Sequence, residues 1–546
     1  MLFRSCGDCG AKSNCLSVAP VETEFGRKTQ IHQSSCNTDY SCLDGDCPAF
    51  VTVVPAAGAK PKRAGHQFEP LGPSFPAVHA EARRARRGVT NLYFMGIGGT
   101  GVVTVNQVLG TAALLEHKGV RCLDQTGLSQ KGGAVVSHLK IFDGEAFGSN
   151  KVGIGEADGY IGFDVLTASD LRHLIRARPD RTVAIVSSSH VATGLMVRNP
   201  LVEFPADSVL HARIDAVTRA GENVYFDAER LAEFLFGSHM MANFIVVGAA
   251  YQAGLIPLAA ENIEKALELN GTAAEANIQA FRVGRQVVVD PAWADRLVTS
   301  RATAAEPAAP ILTPSVRAMV DAAGATGETK RLLEIRVPDL VAYQNEAYAK
   351  QYADFVGMVW TKERTIGADT ALSAAVARYL YKLMAYKDEY EVARLALDPK
   401  LDEALVESFG AGAVMSYRLH PPVLRAMGMK KKIALGRWFR GVFRLLYAAR
   451  GLRGTAFDVF GRDSIRRLER ELIGEYRGLI ETAVAGLSTS SYDQAVTLAR
   501  TPDMIRGYED VKRKNVERFR HAVRLILDPA ATASSPKKGS LVTLGG

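Results

Sequence analysis

The 546-residue sequence has no apolar run that approaches the ~20 residues needed to cross a bilayer, which excludes a membrane-spanning helix. It contains seven cysteines, and only Cys122 lies outside residues 6–47, which excludes a disulfide scaffold. Aromatic residues are not interleaved with the basic runs, as a base-stacking surface would require. The formal net charge of +8 therefore predicts an acidic partner and no nucleic acid.

What is present is the composition of a globular protein with more than one domain, at 47% hydrophobic and 23% charged residues. Stretches rich in Pro, Ala and charge divide the chain. We predict a cysteine-rich segment (1–53), a linker (54–89), an α/β domain (90–290), a second linker (291–314), a mainly helical domain (315–528) and a disordered tail (529–546). No signal peptide precedes the first cysteine, which predicts a cytoplasmic location.

Six cysteines lie close together in the first segment: Cys6, Cys9, Cys15, Cys36, Cys42 and Cys47. In a reducing compartment, grouped thiolates usually bind metal. Zinc ribbons have two Cys-x-x-Cys pairs, whereas only Cys6 and Cys9 have this spacing here. Cys47 precedes Pro48, a feature of ferredoxins. We therefore predict one [4Fe–4S] cluster on four of the six cysteines. Structural zinc, or a second cluster completed by a non-cysteine ligand, stays open.

A glycine-rich loop follows a predicted buried strand at residues 90–95. The loop contains Gly96, Gly98, Gly99 and Gly101, and a helical pattern begins at Val102. Backbone amides at such a helix start can approach an anion closely. The motif alone also suits a NAD-dependent dehydrogenase, for which Asp124 would bind the ribose and His138 would be the one candidate acid or base.

A second polar loop follows the next predicted strand. It brings together Ser129, Gln130, Lys131 and Gly132, which supply hydroxyl, amide, ammonium and glycine functions. Such a loop can hold a phosphate, a thioester arm or a partner subunit. A tight hairpin is the purely structural alternative. We expect the two loops to form one concave surface at the carboxyl ends of neighbouring strands, brought together by parallel pairing.

Two motifs together carry a resemblance. Gly96-Ile-Gly-Gly-Thr-Gly-Val-Val and Ser129-Gln-Lys-Gly-Gly-Ala-Val-Val-Ser-His resemble the gamma domain of 2-oxoacid:ferredoxin oxidoreductases, over roughly residues 90–287. The cysteine segment, with Ser13-Asn-Cys and Ser35-Cys-Asn, is similar to the one that precedes this domain in fused indolepyruvate ferredoxin oxidoreductases. The resemblance implies a Rossmann-like α/β domain with a mostly parallel sheet, between an iron–sulfur segment and a mainly α-helical domain.

The family resemblance also implies a reaction. These enzymes decarboxylate a 2-oxoacid on thiamine diphosphate and magnesium, reduce ferredoxin through [4Fe–4S] clusters, and release an acyl-CoA. This chain lacks a Gly-Asp-Gly loop with a downstream Asn that could hold thiamine diphosphate. We therefore expect it to be inactive alone and to work in an oligomer with a thiamine-binding domain or subunit. Ferredoxin is the implied partner, and coenzyme A is the implied occupant of the two loops.

The last third of the sequence has helical periodicity, clearest over residues 371–385 and 464–485. Its most basic stretch begins at Lys430-Lys-Lys432. A solvated helix face is the structural interpretation, and a docking surface for acidic ferredoxin is the functional one. A non-enzymatic, zinc-stabilised interaction protein is the alternative for the chain as a whole.

Overall fold

The computed structural model describes residues 7–528 except for 22, 58–67, 77, 79–87, 100, 128–132, 199–201, 298–311, 368–369, 421–427 and 430. The strands are β1 Val18–Val21, β2 Lys28–Ile31, β3 Val51–Val54, β4 Val89–Ile97, β5 Gly119–Gln125, β6 Ala134–Phe142, β7 Gly159–Gly162, β8 Val183–Ser187, β9 Val224–Phe226, β10 Val414–Leu419 and β11 Ile433–Leu435. The helices of the first 300 residues are α1 Asp8–Ser13, α2 Val102–Leu115, α3 Val165–Ala168, α4 Leu171–Leu174, α5 Gly194–Arg198, α6 Asp207–Asp215, α7 Ala228–Phe236, α8 Ala242–Gln252, α9 Ala260–Asn270 and α10 Ala274–Val289. Those that follow are α11 Pro314–Ala322, α12 Gly327–Tyr343, α13 Glu346–Thr365, α14 Ala371–Met384, α15 Glu389–Ala396, α16 Pro399–Phe409, α17 Arg440–Ala448, α18 Ser464–Ala485, α19 Tyr492–Arg500 and α20 Glu509–Leu527.

The largest sheet has six strands in the order β5-β6-β4-β7-β8-β9. Strand β4 runs antiparallel to β6 and parallel to β7, and the pairing stays parallel from β7 to β9. Three of the five strand pairs are therefore parallel. The predicted α/β class with a mostly parallel sheet is confirmed.

Strand β4 is apolar on both of its faces. Leu92 and Phe94 point into the larger core, which α2, α8 and α10 cover, whereas Tyr93 and Met95 point into a smaller core on the opposite face. Alternating side chains of a strand project to opposite sides, so a strand covered on both sides becomes a continuous apolar run. This burial fixes the position of the glycine loop at the end of β4.

Helices α8 and α10 pack at unusually close range. A Cβ atom at Gly248 would lie 1.9 Å from the Phe281 carbonyl oxygen, and one at Gly284 would lie 1.8 Å from the Ile245 carbonyl oxygen. Only glycine can occupy positions where two backbones approach so closely. The pair therefore forms a rigid layer beneath the sheet.

The last third of the chain is mainly helical, as predicted, and α14 and α18 confirm the two segments with the clearest periodicity. Helices α11–α14 and α18–α20 share one core, with Tyr352, Tyr476 and Phe519 fully buried in it. Among the described helices, none is both long enough and apolar enough to cross a membrane.

The cysteine segment contacts both of the larger regions. Strand β3 pairs antiparallel with β10, which joins the segment to the helical region in a three-stranded sheet. The guanidinium of Arg336, which is 2% exposed, donates to the carbonyl of Glu24 at 2.8 Å. On the other side, Val197 of α5 packs into the apolar cluster that surrounds Cys9 and Cys47.

Candidate functional site

The glycine loop lies at the carboxyl end of β4, directly before α2. Gly99 and Gly101 have φ angles of 91° and 101°, which are left-handed conformations that favour glycine. Gly101 precedes the first helical residue, Val102. The backbone amides of the first turn of α2 therefore lie at the carboxyl end of β4. The predicted order of strand, glycine loop and helix is confirmed.

A buried carboxylate supports this loop from the neighbouring strand. Asp164 follows β7 and is 1% exposed. Its carboxylate accepts hydrogen bonds from the Ile97 amide at 3.0 Å and from the Thr167 amide at 2.7 Å. Burial raises the pKa of Asp164, although these amide donors act in the opposite direction. Sequence analysis missed this residue, whose only signal is its helix N-cap position after a short apolar strand.

The second predicted loop can be followed only at its ends. Ser129, Gln130, Lys131 and Gly132 lie outside the described residues. The next residue, Gly133, accepts a hydrogen bond from the Gly98 amide at 2.8 Å, so the described end of the loop lies against the glycine loop. A shared concave surface stays a prediction.

The expected parallel pairing is wrong. Strand β6 lies between β4 and β5 and runs antiparallel to both, because β5 and β6 form a hairpin. The two outer strands of an antiparallel trio run in the same direction. For this reason the ends of β4 and β5 still lie at the same edge of the sheet.

Asp124 and His138 lie on the two strands of this hairpin, and both are hydrogen-bonded. Asp124 accepts hydrogen bonds from Asn106 at 2.8 Å and from Ser137 at 2.5 Å. The Val152 amide donates to Nδ1 of His138 at 3.0 Å, and burial lowers the pKa of this imidazole to about 4. Both side chains thus have hydrogen-bond partners inside the fold.

Five of the predicted metal-binding cysteines are described, and Cys6 lies outside the described residues. Cys9 and Cys47 are each 6% exposed, and Cys15 and Cys42 pack against the same small apolar cluster. Burial, followed by the charges of Cys15 and Cys36, raises the pKa of Cys42 to about 11. The segment therefore brings these thiols into one poorly solvated site, where a metal centre would be needed to stabilise their thiolates.

Zinc and a four-iron cluster require different sulfur spacings. A tetrahedral zinc ion bound at ~2.3 Å would hold its sulfur ligands about 3.8 Å apart. Within the described part of the chain, no three cysteines lie within 4.8 Å of one another. A four-iron cluster places each thiolate on a different iron, so it requires a wider arrangement.

A lysine from the helical region reaches this site. Lys432 donates to the carbonyl oxygens of Gly45 and Cys47, the latter at 2.9 Å, and its ammonium lies 4.3 Å above the Phe50 ring. Burial lowers the pKa of Lys432, while the nearby Cys47, Asp46 and Cys9 act to raise it. For this residue the predicted solvated face is wrong, because its side chain is half-buried against the cysteine segment.

Comparison with known proteins gives relatives for the α/β region. The indolepyruvate oxidoreductase subunit IorB of Methanothermobacter thermautotrophicus is 30% identical over 200 residues, which cover 36% of this chain and 95% of that protein. The chain belongs to the 2-oxoacid:ferredoxin oxidoreductase family. The IorB subunit of Pyrococcus horikoshii is 29% identical over 196 residues, which cover 36% of this chain and 93% of the relative.

Two family models match separate parts of this chain. Residues 91–287 match the model described as pyruvate ferredoxin/flavodoxin oxidoreductase, and residues 329–525 match one described as a family of unknown function, DUF6537. Among solved structures, the pyruvate oxidoreductase subunit PORC of Thermotoga maritima is 17% identical. Its TM-score with this chain is 0.28, and the match covers 37% of this chain and 97% of that subunit. The oxidoreductase match thus covers the α/β region but not the cysteine segment.

Proposed function

We propose that this chain supplies the gamma domain and an iron–sulfur electron-transfer segment of an indolepyruvate-type 2-oxoacid:ferredoxin oxidoreductase. In the proposed reaction a 2-oxoacid and coenzyme A give acyl-CoA and carbon dioxide, and the two electrons released reduce ferredoxin. Thiamine diphosphate and magnesium would be held by a partner subunit or by a further part of the polypeptide. The observation that carries the proposal is the burial of several thiols in one site beside Lys432.

The chain's own residues have defined tasks in this proposal. Four of the six cysteines would hold a [4Fe–4S] cluster, which accepts and donates single electrons. The apolar side chains of Val18, Phe50 and Val197 would keep water from the sulfurs on the inner side. The Lys432 ammonium would offset the negative charge of the thiolates and favour the reduced state.

The cluster is tested by anaerobic purification with iron and sulfide analysis. We expect brown protein with about four irons per cluster and an electron paramagnetic resonance signal on reduction. Cys42→Ser should lose iron, because Cys42 lies beside Cys15 and Cys36. Cys122→Ser is the matched control, since Cys122 lies in the hairpin of the α/β region. Colourless wild-type protein with stoichiometric zinc would contradict the proposal.

For the glycine loop we propose a coenzyme A phosphate as the occupant. The helix N-terminus after Gly101 faces the sheet edge, and Lys131 would supply a cation there. In the complete enzyme, Lys131→Ala should weaken coenzyme A-dependent turnover by about 1–3 kcal/mol, or about 5–150-fold, and leave the cluster spectrum unchanged. Lys265→Ala, which alters an exposed lysine on α9, is the control. Micromolar binding of NAD in place of coenzyme A would favour the dehydrogenase alternative.

A further inference from the structure

A second group of metal-type ligands lies where the cysteine segment meets α7, and none of its members is a cysteine. His32 follows β2, Glu233 lies on α7, and His239 lies in the short turn after that helix. One ligand atom from each of the three lies within 4.8 Å of the other two. His32 and Glu233 are separated by 201 positions in the sequence, so only the fold brings them together.

Local structure explains the convergence. Helix α7 ends at Phe236, and Gly237 follows with a left-handed φ of 65°, which reverses the chain so that His239 returns beside Glu233. On the other side, Nδ1 of His32 lies 2.9 Å from the Ser35 hydroxyl. This contact orients the ring so that Nε2 faces the Glu233 carboxylate. Metal-binding histidines are typically oriented in this way by a partner on the other ring nitrogen.

The Ser34 hydroxyl lies in the middle of the group. Its oxygen is 2.8 Å from Nδ1 of His239, 3.2 Å from Oε1 of Glu233 and 3.3 Å from Nε2 of His32. Each imidazole nitrogen can donate or accept a hydrogen bond according to its tautomer, so the hydroxyl, the two imidazoles and the carboxylate form one polar network. The two imidazole nitrogens and the carboxylate oxygen surround this hydroxyl, so a cation that took its place would have all three as ligands.

We propose that His32, Glu233 and His239 bind one divalent transition-metal ion, with zinc the best fit to the donors. Two imidazoles and a carboxylate are a common zinc-binding set when a fourth position is left for water. The partial exposure of the site, with the Glu233 side chain 41% exposed, leaves room for that water. Magnesium and calcium prefer all-oxygen ligands and would bind poorly.

The ion would fasten the cysteine segment to the α/β region. One ligand comes from the segment and two come from α7 and its following turn, so binding links two parts of the fold that are distant in sequence. Because the ion binds only when both parts are docked, its binding free energy would stabilise the docked arrangement. The proposal uses no cysteine and is independent of the iron–sulfur assignment.

Cobalt substitution tests the proposal on the full-length protein, purified anaerobically with its cysteines loaded and then treated with EDTA. We expect about one Co²⁺ to bind per chain, with visible d–d bands and no sulfur-to-cobalt charge transfer, because the donors are nitrogen and oxygen. His239→Ala should weaken this binding by at least about 100-fold. The matched control is His190→Ala, since His190 and Asp207 form a histidine–carboxylate pair at 2.6 Å that belongs to no three-ligand group among the described residues.

Glu233→Gln provides a second test that keeps the side chain's shape. It should also lose the cobalt bands and the upward shift of the melting temperature that Zn²⁺ gives to wild type, with an unchanged circular dichroism spectrum. The proposal would be overturned if wild type bound no cobalt beyond its cysteines. It would also fail if His239→Ala bound cobalt as tightly as wild type, because the three residues would then form only an ion pair.

Discussion

The α/β region is stabilised mainly by apolar packing, whereas the helical region buries many charged pairs. In α8, the residues from Ala242 to Tyr251 are all buried, and nearly all of them are apolar. In the helical region, Arg453 and Asp388 form an ion pair in which each side chain is only 3% exposed. Arg466, Glu469 and Lys512 form a second buried group.

This difference has an energetic meaning. Apolar packing depends on the complementary shapes of the side chains, so a substitution that adds volume destabilises it. A buried ion pair depends on having both partners, because each charge has lost its hydration. The first two substitutions below test the two kinds of core. The third tests a contact of the helical region with the cysteine segment, and the last tests a partly exposed ion pair within the helical region.

The largest effect is expected from Gly284→Ala in the α/β region. The new methyl group would lie 1.8 Å from the Ile245 carbonyl oxygen, so α8 and α10 would have to separate. We expect a loss of more than about 4 kcal/mol in the free energy of unfolding, measured with urea. Gly474→Ala on the exposed face of α18 is the control, since nothing lies within 4 Å of its added Cβ. It should stabilise by up to about 1 kcal/mol.

In the helical region, Asp388→Ala would leave Arg453 buried without its carboxylate partner. We expect this to cost about 3–5 kcal/mol of unfolding free energy, and the double variant with Arg453→Met should recover much of it. The matched control is Asp354→Ala, because the Lys350–Asp354 pair is exposed and should contribute only about 0.5 kcal/mol. Equal losses of unfolding free energy in the two variants would contradict the expectation that the buried pair contributes more than the exposed pair.

A smaller effect is expected where the helical region touches the cysteines. Lys432→Met removes a positive charge beside Cys47 and Cys9, so reduction of the proposed cluster should become harder. We expect its potential to fall by on the order of 50 mV, equivalent to ~1 kcal/mol of charge interaction. Potentiometric titration would measure the shift. The exposed neighbour Lys431→Met should change the potential much less, and equal shifts would show that only the overall charge matters.

The smallest effect concerns acid stability. Burial acts to raise the pKa of Asp503, but Lys382 and Arg506 lower it to about 2. Because the folded-state pKa is below the unfolded value of ~3.9, the contribution is present above pH ~4 and is lost as the pH falls towards ~2. The Asp503 side chain is 41% exposed, so solvent limits the contribution to less than about 1 kcal/mol. Asp503→Asn should make the midpoint of urea unfolding less dependent on pH below ~4. Identical plots of this midpoint against pH for the variant and wild type would contradict the prediction.

Local pattern predicted the elements in which neighbouring residues determine the structure. Strand β4 was predicted from the apolar run before Gly96, its loop from the glycines, and α2 from the helical period after Val102. Helical periodicity also predicted α14 and α18. The family resemblance rested on motifs of this local kind.

Contacts between distant parts of the chain were not predictable in this way. No periodicity pairs β3 with β10, or brings His32 to Glu233, because tertiary packing selects these partners. The hairpin of β5 and β6 was given only as the structural alternative, since the polar loop between them resembled a ligand-binding loop more than a turn. Lys432 lay in a basic stretch that gave no sign of which lysine would be buried.

The contact between Lys432 and Cys47 spans 385 positions of the sequence, which has a consequence for biosynthesis. At a translation rate of about 5–20 residues per second, the ribosome would add this lysine roughly 20–80 s after the cysteine. Throughout that interval the nascent cysteines lack their covering lysine, and for nearly all of it they also lack the β10 strand that pairs with β3. Insertion of a metal centre before the chain is complete would therefore take place on a solvent-accessible segment, whereas in the finished protein Cys9 and Cys47 are buried.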